Sequence, residues 1–227
     1  MSKDFQLIIP VAGPNYDFEK FNNHKLLIDI NDKKLVKWVQ VSRPYNLSDG
    51  IFIFQKRHNN KYDLVNKISK ILGKKIRYFI LNNYTAGAPQ SVLRIKNEID
   101  LKKPLFIDLL DQYIDFKNFF KFCLKNNFDG CVPIFQSLYF NRGYAKIDKQ
   151  KYITKISEKD PKPISTNSTA CVSYFREAKF FFENAELMIK KKILSSNGKY
   201  MISLVYNEMI KKNDTNISPQ YLAFNSM

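Results

Sequence analysis

Residues Phe5 to Val41 read FQLIIPVAGPNYDFEKFNNHKLLIDINDKKLVKWVQV, and their order decides the fold. The apolar run Phe5 to Val11 predicts a buried strand. Ala12-Gly13-Pro14-Asn15 breaks it with small, turn-forming residues. A polar loop follows, carrying Asp17, Glu19, Lys20 and His24. Lys25-Leu26-Leu27 leads into a short strand over Leu27 to Ile30, and Asn31-Asp32-Lys33 turns the chain. Leu35, Val36, Trp38 and Val39 then fall at helical spacing. In α/β proteins ligands bind beyond the carboxyl ends of parallel strands. A first strand that ends in Ala-Gly exposes backbone N–H groups to a phosphate. A loop lysine adds a point charge there.

The remainder repeats the alternation. Ile51 to Phe54 predicts a second parallel strand, with Gln55-Lys56-Arg57-His58 at its carboxyl end. Tyr62, Val65, Ile68 and Leu72 predict a basic surface helix, with Gly73 as its C-cap. Lys75 to Leu81 predicts a third strand, 82–90 a loop, and Ser91 to Ile99 a helix. Pro104 to Leu110 predicts a fourth strand ending at Asp111. A helix through Phe119, Phe122 and Leu124 follows, then a fifth strand over Asp129 to Phe135. Such alternation indicates a parallel sheet. The second half differs. Tyr144 to Asp148 and Tyr152 to Ser157 predict a hairpin, 158–163 a loop, and Ser168 to Phe175 a strand. Ala178 to Lys192 predicts an amphipathic helix with Phe181, Phe182, Ala185, Met188 and Ile189 inward. Asn197-Gly198 turns the chain into 199–204, and Val205 to Lys212 predicts a last helix.

Composition limits the function classes. At 227 residues with 44% hydrophobic content and only seven glycines, one ordered domain over 1–227 is expected. No apolar run reaches the ~18 residues of a membrane span. The amino terminus shows no basic region followed by a small-residue cleavage site, so no signal peptide is expected. Cys123, Cys131 and Cys171 lack metal spacing and suit a reducing cytoplasm, as core fillers. The net charge of +16 invites nucleic acid. Its lysines are dispersed, however, and no RNA-binding aromatic motif, zinc finger or Gly-x-x-Gly clamp is present, so no nucleic-acid partner is expected. The positive field instead suits steering of an anionic nucleotide. His24 and His58 read as isolated surface residues, and Trp38 and the phenylalanines as core.

Asp111 is the candidate metal ligand. A carboxylate beyond a buried strand lies at the ligand face of such a sheet. Its hard oxygens suit Mg²⁺, which takes one or two protein carboxylates and keeps waters and phosphates. The structural alternative is a cap on the following helix. Asp108 is expected to point to the opposite face, and Asp115 is the weaker neighbour.

Several motifs, taken in order, resemble the nucleotidyltransferases that make sugar nucleotides. Ala12-Gly13 is similar to the start of their Gly-rich loop, and Lys25 in His24-Lys25-Leu26-Leu27 to their phosphate lysine. Pro14-Asn15-Tyr16-Asp17-Phe18 departs from the family's Gly-x-Gly-x-Arg, so the second glycine and the arginine are missing. Thr85 to Leu93 looks like Thr-x-Gly-x-x-x-Ser-Val-Leu, and Asp111-Gln112 like the Ser-Asp-Gln of a capsule-type branch. Tyr144-Ala145-Lys146, Ile156-Ser157-Glu158-Lys159, Asn197-Gly198 and Val205-Tyr206-Asn207-Glu208 look like its acceptor-side segments. Gln220 to Met227 resembles the strand that precedes the family's closing segment.

The resemblance implies a Rossmann-like, GT-A-type α/β fold, a mostly parallel sheet sandwiched by helices with a small β-rich acceptor lobe. Residues 1–135 would form the nucleotide half and 136–227 the acceptor half. It implies transfer of a nucleoside monophosphate from an NTP to a sugar phosphate or similar small molecule, with release of pyrophosphate, for capsule or surface glycan precursors. Lys25 and Asp111 would be catalytic. Val11, Ala12, Gly13, Lys25, Ala86, Gly87 and Gln90 would bind nucleotide, with Gly87 letting the backbone approach the base. Gln112, Tyr144, Lys146, Glu158, Lys159 and Asn207 would bind the acceptor, and Asp111 would hold Mg²⁺. Asn207 or Glu208 could stand in for a further ligand that relatives draw from their carboxyl-terminal region. A cytoplasmic enzyme, with room for a homo-oligomer, is expected. The departures motivate a second reading, a non-catalytic relative that binds nucleotide or serves a partner subunit. A GT-A glycosyltransferase is a third, although no Asp-x-Asp surrounds Asp111.

Overall fold

The structure is a computed structural model that describes residues 5–212 and 215–222. Its strands are β1 (Gln6–Pro10), β2 (Asp29–Ile30), β3 (Lys33–Lys34), β4 (Ile51–Gln55), β5 (Arg77–Leu81) and β6 (Leu105–Asp108). They continue as β7 (Gly130–Gln136), β8 (Gly143–Ile147), β9 (Ile153–Glu158), β10 (Asn167–Thr169), β11 (Val172–Phe175) and β12 (Ile217–Tyr221). The helices are α1 (Tyr16–Glu19), α2 (Leu35–Ser42), α3 (Lys56–Tyr62), α4 (Leu64–Leu72), α5 (Ala88–Leu93), α6 (Lys117–Lys125), α7 (Ala178–Lys190) and α8 (Val205–Ile210).

Strands β5, β4, β1 and β6 lie side by side and parallel. Both faces of β4, β1 and β6 are covered, which is why their cores read as apolar runs rather than alternating ones, while the edge strand β5 starts with exposed Arg77 and Tyr78. Ile8, Ile51, Ile53, Leu105 and Ile107 pack with Val92, Phe181, Phe182, Ala185 and Met188 on one face. Leu7, Ile9, Phe52, Phe54 and Phe106 pack with Val36, Val39, Leu64, Ile68 and Phe119 on the other. Burying each of these large side chains contributes about 1.5–3 kcal/mol.

The remaining strands supply the antiparallel part of the expected, mostly parallel sheet. β7 does run parallel to β6, but β11 is wedged between them, antiparallel to both. The predicted strand 168–175 is split at Ala170-Cys171. Its first part, β10, runs between β7 and β8, and its second part, β11, between β7 and β6. β8 and β9 form the expected hairpin, and β12 pairs with β7. The sheet is therefore mostly parallel, with a β-rich extension beyond β6. The split strand leaves a gap between the end of β6 and the start of β8, and the candidate site lies there.

Local departures have simple causes. The expected strand over Leu27 to Ile30 is a single 3₁₀ turn, Lys25–Leu27, followed by the β2–β3 hairpin. Asn31 and Asp32 both have positive φ, at 47° and 63°, as a two-residue hairpin turn requires. Trp38 is half-buried rather than core, and its indole N–H donates to the Ile30 carbonyl at 2.7 Å. The helix expected from Ser91 starts at Ala88, because Pro89 suits the first turn, and ends at Leu93. Strand β6 stops at Asp108 because Leu110 takes a left-handed conformation, φ 54°. Of the expected terminal strand, residues 223–227 lie outside the described residues, and β12 begins earlier, at Ile217. No helix among the described residues is long and apolar enough to cross a membrane.

Candidate functional site

Two cavities open along the carboxyl ends of the parallel strands. The smaller, about 250 Å³, is lined by 10–14, Lys25, Thr85, Gly87, Ala88, Ser91, Leu109, Asp111 and 199–201, whereas the expected nucleotide binders Ala86 and Gln90 do not line it. Val11, Ala12 and Gly13 form its floor, and the Val11 N–H is tied to the Ile53 carbonyl at 3.0 Å. Asn15 is almost fully buried and folds the following loop back. Its side chain donates to the Asn23 carbonyl at 2.8 Å and accepts from the Lys25 N–H at 3.1 Å. Leu26 and Leu27 anchor the turn in the core, which fixes the Lys25 backbone at the cavity wall.

The opposite wall is braced internally. The Thr85 hydroxyl donates to the Gly87 carbonyl at 3.0 Å and lies 2.7 Å from the Ser91 hydroxyl. Gln90 spends its carboxamide oxygen on the Ala86 N–H at 2.8 Å, so it acts as a loop brace. Gly87 lines the cavity, but the backbone that approaches it closely is that of Tyr200. The two residues form a parallel bridge, with the Tyr200 N–H donating to the Ala86 carbonyl at 2.9 Å.

The larger cavity, about 440 Å³, occupies the gap between β6 and β8. Asp111, Gln112, Arg142, Gly143, Glu158 and Lys159 line it, with Thr169 to Cys171 from the split strand. Leu109, Asp111 and Met201 line both cavities, so the two meet at Asp111. Lys25 and Asp111 thus share the smaller cavity, and Asp111, Glu158 and Lys159 share the larger. Asp111 is exposed, since the left-handed Leu110 plugs into the core and turns the next residue outward. It does not cap the following helix. Asp115 accepts from the Lys117 N–H there, at 2.8 Å.

Glu158 is buried at the end of β9 and accepts a hydrogen bond from the Ser203 hydroxyl. Burial raises its pKa. The Ser203 bond and Lys159 oppose that rise, and the nearby Asp111 charge adds to it. Gly143 makes room for it, because a β-carbon there would collide with the Glu158 carboxylate and the Thr169 hydroxyl. Lys159 takes a left-handed conformation, φ 58°, and its ammonium donates to the Asn141 carbonyl at 2.7 Å.

Three proposed acceptor residues line neither cavity. Tyr144 is fully buried and donates its hydroxyl to the Tyr139 carbonyl, because its β8 register turns the ring into the lobe. Lys146 is exposed elsewhere on the hairpin. Asn207 clamps the Ile156 backbone, accepting its N–H at 2.8 Å and donating to its carbonyl at 2.7 Å. Glu208 is buried and ion-paired to Lys191 and Lys211, so it too is committed elsewhere. Among the described residues no three His, Cys, Asp or Glu side chains gather as a metal cage.

With this geometry in place, three solved structures overlay on nearly the whole chain. A nucleoside-diphosphate-sugar pyrophosphorylase from Vibrio cholerae aligns at 20% identity and a TM-score of 0.78, over 96% of this chain and 92% of its own. A Bacillus anthracis protein assigned as a glucose-1-phosphate thymidylyltransferase, solved with sucrose, aligns at 16% identity and 0.73, over 96% and 87%. A UDP-glucose pyrophosphorylase complexed with UDP-glucose aligns at 14% identity and 0.69, over 96% and 91%. The chain shares their fold. No family profile matches the sequence, and no curated protein matches it at significant similarity.

Several residues of this fold's cleft carried no signal in the sequence. Lys199, Tyr200 and Met201 reach the smaller cavity from a segment read only as a turn and its continuation. Arg142, Thr169 and Ala170 reach the larger one. The histidines also differ from expectation. His24 and His58 are both buried, with ring centroids 5.6 Å apart. His58 Nε2 lies 2.9 Å from the Tyr84 hydroxyl, and His24 Nδ1 accepts from the Leu26 N–H at 3.4 Å. They pack behind the Lys25 turn as neutral spacers.

Burial, then the charges of Lys25 and His58, lower the His24 pKa to about 3. In the unfolded chain it titrates near 6.5. Between those values the unfolded state binds more protons, so this contribution is complete above pH ~6.5 and is lost as pH falls toward ~3. By pH ~5 the loss is about 2 kcal/mol, or roughly 4–8 °C in melting temperature. Thermal melts of wild type and His24→Gln from pH 7 to 5 check this. The variant is expected to show the shallower fall, and parallel curves would remove His24 as the cause.

Proposed function

We propose that this protein transfers a nucleoside monophosphate from an NTP to a phosphorylated small molecule of the sugar-phosphate class, releasing pyrophosphate. The observation that carries the reading is the position of Asp111 where the two cavities meet. The smaller cavity offers a backbone floor at the tip of β1 and two ammonium groups, Lys25 and Lys199, for a triphosphate. The larger offers Arg142 and Lys159 for an acceptor phosphate and Glu158 for acceptor hydroxyls.

In this reading an oxygen of the acceptor phosphate attacks the α-phosphorus in line. A new P–O bond forms, the bond from the α-phosphorus to the bridging oxygen of the β-phosphate breaks, and its electron pair leaves with pyrophosphate. Little covalent chemistry is asked of the protein, so positioning and charge stabilisation supply the rate. Asp111 would hold Mg²⁺ together with phosphate oxygens and water, a donor set that the hard cation accepts without a protein cage. When bound, it would neutralise charge at the α-phosphate. Lys25 and Lys199 would hold the departing phosphates, and Glu158 and Lys159 would orient the acceptor. A sugar nucleotide made this way is what capsule or surface glycan assembly consumes, and buried free thiols suit a reducing cytoplasm.

One observation favours a second reading, a nucleotide-binding relative without turnover. The loop after β1, Pro14-Asn15-Tyr16-Asp17-Phe18, lacks the second glycine and the arginine of the Gly-x-Gly-x-Arg loop in the resembling enzymes. Melting with each NTP plus Mg²⁺, followed by a pyrophosphate-release assay across sugar phosphates, separates the two. One nucleotide at about a hundredfold its Kd is expected to add roughly 2.7 kcal/mol of stability, and one acceptor to trigger release. A shift without release supports the binding reading. Consumption of a nucleotide sugar without pyrophosphate would instead indicate glycosyl transfer.

A further inference from the structure

Arg43 follows α2 and is buried, with no exposed side-chain surface. Its guanidinium meets Asp108 in a fork, Nε to Oδ2 at 2.6 Å and Nη2 to Oδ1 at 3.2 Å. The remaining donors go elsewhere. Nη2 also donates to the Gln112 carbonyl at 3.1 Å, and Nη1 to the Ile114 carbonyl at 3.3 Å and the Ser42 hydroxyl at 2.8 Å. The Phe116 ring packs against it, 4.6 Å from ring centroid to guanidinium carbon.

These partners bracket Asp111. Asp108 ends β6 on one side, while Gln112 and Ile114 follow on the other. The loop from 109 to 116 has no regular structure, so its path rests on such ties. Asp108 Oδ1 also accepts from the Leu110 N–H at 3.0 Å, which sets the left-handed turn that aims Asp111 outward. The Gln112 side chain accepts from the Cys171 N–H at 2.9 Å and joins the loop to the split strand. A device for stability alone needs only the ion pair. This one uses the planar fork of arginine to hold backbone on both flanks of one exposed carboxylate, which a lysine cannot do.

We propose that Arg43 is a positioning residue that fixes the Asp111 carboxylate for a divalent cation through the Asp108 pair and the Gln112 and Ile114 carbonyls. The proposal rests on the reading of Asp111 as the metal ligand. The test measures Mn²⁺ affinity of the full chain by the electron-spin signal of free Mn²⁺, together with kinetics of pyrophosphate release. Arg43→Lys is expected to weaken Mn²⁺ binding about tenfold or more and to lower kcat while leaving the KM for NTP nearly unchanged. Phe181→Leu, a core change on the inward face of α7, serves as the control for lost stability and is expected to leave Mn²⁺ affinity at the wild-type value. Should Arg43→Lys fail to fold, Arg43→Met combined with Asp108→Leu removes both buried charges at once. That pair is expected to fold with a lowered melting temperature, since the Leu110 N–H and the Gln112 and Ile114 carbonyls lose their partners, and to lose Mn²⁺ affinity.

Wild-type affinity in Arg43→Lys or in the double variant overturns the proposal, as does an equal loss in Phe181→Leu. Asp111→Asn separates the two levels. If it binds Mn²⁺ like wild type, the metal reading falls and the positioning role with it. If it loses Mn²⁺ while Arg43→Lys does not, the positioning role alone falls.

Discussion

Asp111→Asn is expected to slow pyrophosphate release by roughly a thousandfold, the loss of about 4 kcal/mol of charge stabilisation at the reacting phosphate. The substitution is nearly isosteric and the residue is exposed, so the stability should stay within about 0.5 kcal/mol of wild type. Three features make this the most informative single change. Asp111 touches both cavities, it caps no helix, and its loop is held by other side chains. A variant that keeps more than a tenth of wild-type turnover in saturating Mg²⁺ and substrates would show that the carboxylate does not hold the cation.

Gly87→Ala is expected to carry the largest stability loss of any conservative change in the cleft. Gly87 has φ 145°, a region that residues with a β-carbon rarely adopt. A β-carbon there would also collide with the Tyr200 carbonyl oxygen and lie 2.9 Å from its carbon, and both are backbone atoms that cannot swing aside. Strain contributes about 1–3 kcal/mol and overpacking about as much again. A total of roughly 3–5 kcal/mol lowers the melting temperature of a chain this size by about 6–20 °C. Gly198→Ala separates the two causes, because Gly198 has φ 74° but open space around it. It is expected to lose only about 1–2 kcal/mol. Equal losses would mean that the approach of Tyr200 is unimportant. Since Tyr200 and Lys199 wall the smaller cavity, Gly87→Ala is also expected to weaken nucleotide binding, measured by the same NTP melts.

The readable part of this fold was the part whose physics is local. Ile8-Ile9, Ile51 to Phe54 and Leu105 to Ile107 announce buried strands because both faces are covered, and helical spacing marks α4 and α7. The positions of Lys25 and Asp111 follow from those elements, since both lie beyond strand tips on the same edge of the sheet. What escaped depends on residues far apart in the chain. Ser168 to Phe175 reads as one strand, and nothing in its composition says that it changes neighbours at Ala170-Cys171. Arg43 and Asp108 lie in segments that look like a helix end and a strand, and only the folded sheet turns both toward one interior point. His24 and His58 looked isolated because their proximity is created by the fold of the Lys25 loop against α3. Tyr144 and Asn207 sat in recognisable motifs, yet their side chains serve the lobe's own backbone.

The two-residue break between β10 and β11 gives the larger cavity a wall that can vary on its own. Ala170 and Cys171 line the larger cavity, while their backbone groups bond the Pro133 carbonyl, the Gln112 side chain and the Leu109 N–H. Bulk or polarity can therefore be exchanged at position 170 without unzipping any ladder. If the larger cavity seats the acceptor as proposed, drift at that single window would retune which small molecule fits and leave the smaller cavity untouched.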